Sequence, residues 1–152
     1  MIRKTALSVR LMTKFSGMPI GKSGNQDWNR LIRESGLKVI SLHSNLANLE
    51  SDAASVADTA LSFGTDTVVI TGMYGFDCGN LKEVENLADR LNRVGKVLAE
   101  RGIRLLYHNH NVELQKVAPG KTAYDIIIEK TNPLYVNTEI HSPRDMQRKL
   151  TK

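Results

Sequence analysis

From residue 23 onward the sequence alternates between stretches of helical period and short runs rich in β-branched residues, joined by brief connections. That rhythm constrains the fold more than any other feature. Two parallel strands need a crossover long enough for a helix, so repeated βα units build a parallel sheet with helices packed on it. Trp28, Leu31 and Ile32 have helical spacing, and Gly36 stands where a C-terminal cap belongs. "LKVISLH" (37–43) then reads as a short buried strand. Ser51 and Asp52 can cap a second helix, whose face holds Ala53, Val56, Ala57, Ala60 and Leu61 and which Gly64 closes. "TDTVVITG" (65–72) is a second strand.

The clearest helix follows, with Val84, Leu87, Ala88, Leu91, Val94 and Leu98 recurring every three or four residues. Gly102 separates it from a third strand in "ERGIRLLYHNH" (100–110). Thr122 and Asp125 have capping-box spacing at the start of a helix through "AYDIIIEKT" (123–131). Asn132 and Pro133 make a turn into a fourth strand, "LYVNTEIH" (134–141). "SPRD" (142–145) offers a cap serine, a first-turn proline and an acid, which predicts a short final helix.

The chain has four histidines, His43, His108, His110 and His141, and each falls at the C-terminal end of a predicted strand. In parallel α/β folds that edge is where ligands bind and catalytic groups converge. One imidazole there more often just finishes the polar end of a strand. All four in three short windows point to a site. Strand parity puts Leu106, His108 and His110 on one face, with Ile103, Leu105 and Tyr107 on the other. Tyr135, Asn137, Glu139 and His141 share a face of the next strand. Imidazoles and a carboxylate converging in this way suit divalent-metal binding or proton transfer. Glu113 falls in the loop after the third strand, where it reads equally as a ligand contact or a solvated acid. The glycines of "GMYGFDCGN" (72–80) lack dinucleotide spacing, Asp77 or Asn80 can cap the long helix, and no pattern supports Cys78 as a nucleophile.

Charge and composition narrow the partners. The net charge of +5 sits at the ends: residues 1–22 and 141–152 together carry +8, leaving −3 over the 118 residues between. Aromatics are only 5% of the chain and no basic stripe interleaves with them, so no nucleic-acid partner is expected. No run of eighteen apolar residues is present, so no membrane span is expected. No signal-peptide core is visible and the single cysteine fits a reducing compartment, so the expected location is the cytoplasm.

The motifs resemble a known family. "GIRLLYHNHNVEL", "DWNRLIRESGLKVISLHSNL", "VVITGM", the long helix and "GKTAYDIIIEKTNPLYVNTEI" are similar, in order and spacing, to the xylose isomerase-like sugar phosphate isomerase/epimerase family, in its YHNH subgroup. The likeness runs over about residues 15–140. It implies a (β/α)₈, or TIM, barrel and metal-assisted proton transfer on a small hydroxy-carbonyl sugar or polyol. The implied cofactor is a divalent metal: Mn, Co, Mg or Zn. Carried over by position, His108, Glu139 and His141 would be metal ligands, His110 and His43 catalytic proton carriers, and Asn109 and Glu113 substrate contacts. His141 stands where the family typically has aspartate, which departs from the pattern. A complete barrel needs about 250 residues, so a single partial domain over residues 1–152, with about four to six of eight units, is expected. The alternative function is a truncated, non-catalytic remnant or binding module of the same fold. An incomplete barrel also exposes strand edges, so a homo-oligomer is expected.

Overall fold

The computed structural model describes residues 28–70 and 76–139. These fall in two compact units, Met1–Gly36 and Leu37–Lys152. In the first, helix α1 (Trp28–Ser35) carries a surface pair between Arg30 and Glu34, four apart, at 2.9 Å, and ends where Gly36 takes φ +68°.

The second unit begins with β1 (Leu42–Ser44). The expected strand over 37–43 forms only at its end. Its partner β2 (Thr67–Ile70) pairs from Leu42↔Val68 onward, so residues 37–41 have no rung there to join. Leu37 and Ile40 are 73% and 79% exposed, against the expectation of a buried run.

Helix α2 (Leu46–Ser62) is two helices in series. Asn45 caps the first by accepting from the Asn48 N–H at 2.8 Å. Asp52 leaves helical geometry at φ −160°, ψ 78° and its carboxylate caps the second through the Ser55 N–H at 2.9 Å. This is the start expected at Asp52, with an unexpected turn of helix before it. Ala53, Ala57 and Ala60 are buried, and these small side chains let the helix lie close on the sheet; Leu61 instead points outward, 50% exposed.

Helix α3 (Leu81–Ala99) is capped by Asn80, as expected, and buries Val84, Leu87, Ala88, Leu91, Val94, Gly95 and Leu98. Glu50 of α2 accepts two hydrogen bonds from Arg90 of α3, at 2.6 and 2.7 Å, which hold its carboxyl below the usual range. Strand β3 (Arg104–His108) follows Gly102. The stretch expected as a plain loop then holds a 3₁₀ turn (Val112–Leu114) and a small antiparallel hairpin, β4 (Lys116–Ala118) with β5 (Lys121–Thr122). Thr122 and Asp125 form the full capping box of helix α4 (Ala123–Lys130). Asn92 of α3 then binds both the Lys130 carbonyl and the Asn132 N–H, fixing the turn into β6 (Val136–Glu139). That strand starts later than expected because Tyr135 and Val136 both donate to the Asn132 carbonyl, making 133–135 a turn with Leu134 78% exposed.

The four main strands form one parallel sheet in the order β1-β2-β3-β6. Registered rows Leu42–Val68–Leu105–Val136 and Ser44–Ile70–Tyr107–Thr138 face the helices, and Val68, Ile70, Leu105, Tyr107 and Val136 join the helix residues in one core. The row between them, His43–Val69–Leu106–Asn137, belongs to the other face. Parallel βα units whose strands are neighbours in chain order give the expected α/β architecture, part of a TIM-type barrel that four strands do not close. Among the described residues no helix is long and apolar enough to cross a membrane. The helix expected at 142–145 lies outside the described residues.

Candidate functional site

The edge where β3 ends gathers two of the candidate histidines. Among the described residues the last β3–β6 pair is His108↔Glu139, and β3 itself ends at His108, before residues 109–111. The rings of His108 and His110 meet edge to face, with centroids 5.0 Å apart and planes at 69°. The i, i+2 spacing thus brings the two imidazoles together, both half-buried.

What holds this exit is a carboxylate. The 3₁₀ turn, closed by Leu114 N–H to the Asn111 carbonyl at 3.1 Å, carries Glu113 back under the strand end. Glu113 is 3% exposed, so it is a buried residue and not a solvated loop acid. Its Oε1 accepts from the Tyr107 hydroxyl at 2.7 Å, and its Oε2 from the His110 N–H at 2.8 Å. Asn109, also buried, donates from its amide to the His110 carbonyl at 3.2 Å.

The electrostatics follow from that burial. Tyr107 is 1% exposed, and burial together with the adjacent Glu113 carboxylate pushes its hydroxyl far above the usual range. Cys78 is buried too; burial first, then Glu113 and Asp77, raise its thiol to about 11. A thiol held protonated is no nucleophile at neutral pH. Tyr107, which strand parity puts on the face opposite the histidines, is the anchor for this carboxylate. The signal available for it was a tyrosine of helix-side parity with a glutamate six residues on.

The other candidates are spread more widely. His43 is exposed and shares a face with Leu106, but two strand spacings, about 10 Å, separate β1 from β3. Glu139 stands opposite His108 in register, and only its backbone is described. His141 lies outside the described residues. Among the described residues no three His, Cys, Asp or Glu side chains converge to hold a metal ion. A separate cleft of about 500 Å³ opens at the opposite end of the strands from His108 and His110, lined by residues 38–40, 64–66 and Arg104.

No family model matches this chain, and no curated protein does. Among solved structures it is similar to a sugar phosphate isomerase/epimerase from Parabacteroides distasonis, at a TM-score of 0.62 and 20% identity. The match covers 75% of this chain and 46% of that one, so the likeness extends over less than half of that structure. At that identity the likeness shows the fold.

Proposed function

We propose that the chain carries part of the active site of a sugar or sugar phosphate isomerase/epimerase, acting by proton transfer next to a carbonyl on a small sugar or polyol. One observation supports this most: two imidazoles in ring contact at the C-terminal edge of a parallel sheet, where such folds gather their catalytic groups. The similarity to an isomerase/epimerase in fold agrees with it.

A divalent cation fits the donor types here. His108 and its register partner Glu139 are adjacent on neighbouring strands, and His141 follows Glu139 at the next position of the same parity. These three residues would hold it. When bound, such an ion supplies charge stabilisation for adjacent substrate oxygens. His110, in ring contact with His108, would take and return a proton, and His43, on the same sheet face, would be a second proton carrier or hydroxyl contact. Asn109 lies between the imidazoles in sequence and braces the loop that would meet the substrate.

A second reading, a binding module without turnover, is favoured by the four-strand extent of the described sheet. Solvent exchange separates the two. The purified chain, given Mn²⁺ and a panel of ketoses and aldoses in D₂O, should incorporate deuterium next to the carbonyl, and His110→Ala should abolish it. Saturable sugar binding without exchange would establish the binding module instead.

A further inference from the structure

The geometry points to Glu113 as the positioning residue of the imidazole pair: one buried carboxylate grips the chain on both sides of His108 and so sets where both rings stand. This goes beyond substrate contact and rests on the proposed function for its chemical purpose.

The two acceptor atoms of Glu113 bind two donors three positions apart in the chain, the Tyr107 hydroxyl before His108 and the His110 N–H after it. Tyr107 lies in the helix-side core, clustered with buried residues of α3 and β3. Glu113 therefore ties the departing backbone at His110 to a side chain anchored in the core. The stretch between the two ties contains His108 and Asn109, and the Asn109 amide closes onto the His110 carbonyl within it. A carboxylate accepting from two donors away from water makes stronger bonds than a neutral acceptor, which suits it to hold a loop in one geometry.

A glutamine keeps this shape. Its carbonyl can accept from the His110 N–H while its amide donates to the Tyr107 oxygen, whose hydroxyl proton can turn away. An aspartate is one methylene too short to reach both donors. The series Glu, Gln, Asp, Ala at position 113 therefore separates the grip from mere polarity.

The test uses the full chain and reads ring geometry and Mn²⁺ affinity separately. In the wild type and Glu113→Gln, contacts between the His108 and His110 ring protons should appear in nuclear Overhauser spectra, with Mn²⁺ affinities within about threefold of each other. In Glu113→Ala the inter-ring contact should vanish and Mn²⁺ binding weaken about 10-fold or more, the usual penalty for losing a group that orients a ligand. If Glu113→Ala does not fold, Glu113→Asp takes its place with the same expected loss. Retention of the inter-ring contact in a folded Ala or Asp variant would overturn the assignment. If the wild type binds no Mn²⁺, the metal reading fails, and the ring contact alone still decides the role of Glu113.

Discussion

Gly95 of α3 lies so close to Tyr135 that a Cβ built on the glycine would stand 2.8 Å from the Tyr135 carbonyl oxygen and 3.1 Å from a Val136 methyl. The neighbour is backbone at the entry to β6, and it cannot swing aside like a side chain. This approach sets how near the long helix lies to the strand that carries Glu139. Gly95→Ala should therefore destabilise the fold by about 1–3 kcal/mol, the cost of forcing extra volume into a packed site. Alanine's intrinsic helix advantage, about 1 kcal/mol, works in the other direction and does not offset it. Urea unfolding measures the balance, and a variant as stable as the wild type would show that α3 and β6 can move apart freely.

Tyr107→Phe removes the hydroxyl while leaving the ring in the core. The Glu113 Oε1 then loses its donor inside a buried site, which should cost about 1–3 kcal/mol. Because the two residues share one bond, the double variant Tyr107→Phe with Glu113→Ala should cost less than the sum of the single variants. Strict additivity in that cycle would deny the pairing.

Alkaline pH should unfold this protein early. Cys78 and Tyr107 both hold their protons more tightly folded than unfolded, because burial and the Glu113 carboxylate disfavour their anions. The unfolded chain then releases protons first, and stability falls as pH rises. For Cys78 the contribution is intact below about pH 9, the ordinary thiol value, and is lost progressively up to about 11. One proton corresponds to a slope of about 1.4 kcal/mol per pH unit. Tyr107 deepens the fall above its ordinary value of about 10. Cys78→Ala should flatten the curve between pH 9 and 10 and leave the later fall in place. Equal slopes for wild type and variant over that unit would remove Cys78 from the account.

The periodic elements were legible because their cause is local. The α3 stripe from Val84 to Leu98, the Thr122–Asp125 capping box and the Asp52 cap are each written within a few residues and appear where the spacing puts them. Strand ends were not, since "LKVIS" looks apolar whether or not a neighbour offers a rung, and here β2 begins too late to offer one. The β4–β5 hairpin, which turns at Gly120 with φ +72°, was not legible, because strands of three and two residues leave no period to read. The side-by-side placing of His108 and His110 was legible from strand parity, although His110 stands beyond the end of β3. The burial of Glu113 had no such signal, because its partners are a main-chain N–H and a tyrosine on the opposite face of the strand. The distance from His43 depends on strand order, which only the tertiary structure reveals.

Strand order also bears on assembly. β1 and β6 are the outer strands of the described sheet, each paired on one side only among the described residues. Unpaired edges of parallel strands present rows of donors and acceptors that readily accept another chain. A closed barrel takes about eight strands, and the described residues supply four in the main sheet. We therefore expect a homo-oligomer in which two partial sheets pair at their edges or across the His43–Val69–Leu106–Asn137 face. Such pairing would bring His108 and His110 of one copy toward the edge of the other, so assembly and the imidazole site should respond together. Sedimentation across a micromolar concentration series checks this. A species of at least twice 16.9 kDa that dissociates on dilution supports the pairing. A cooperatively folded monomer at every concentration would rule it out.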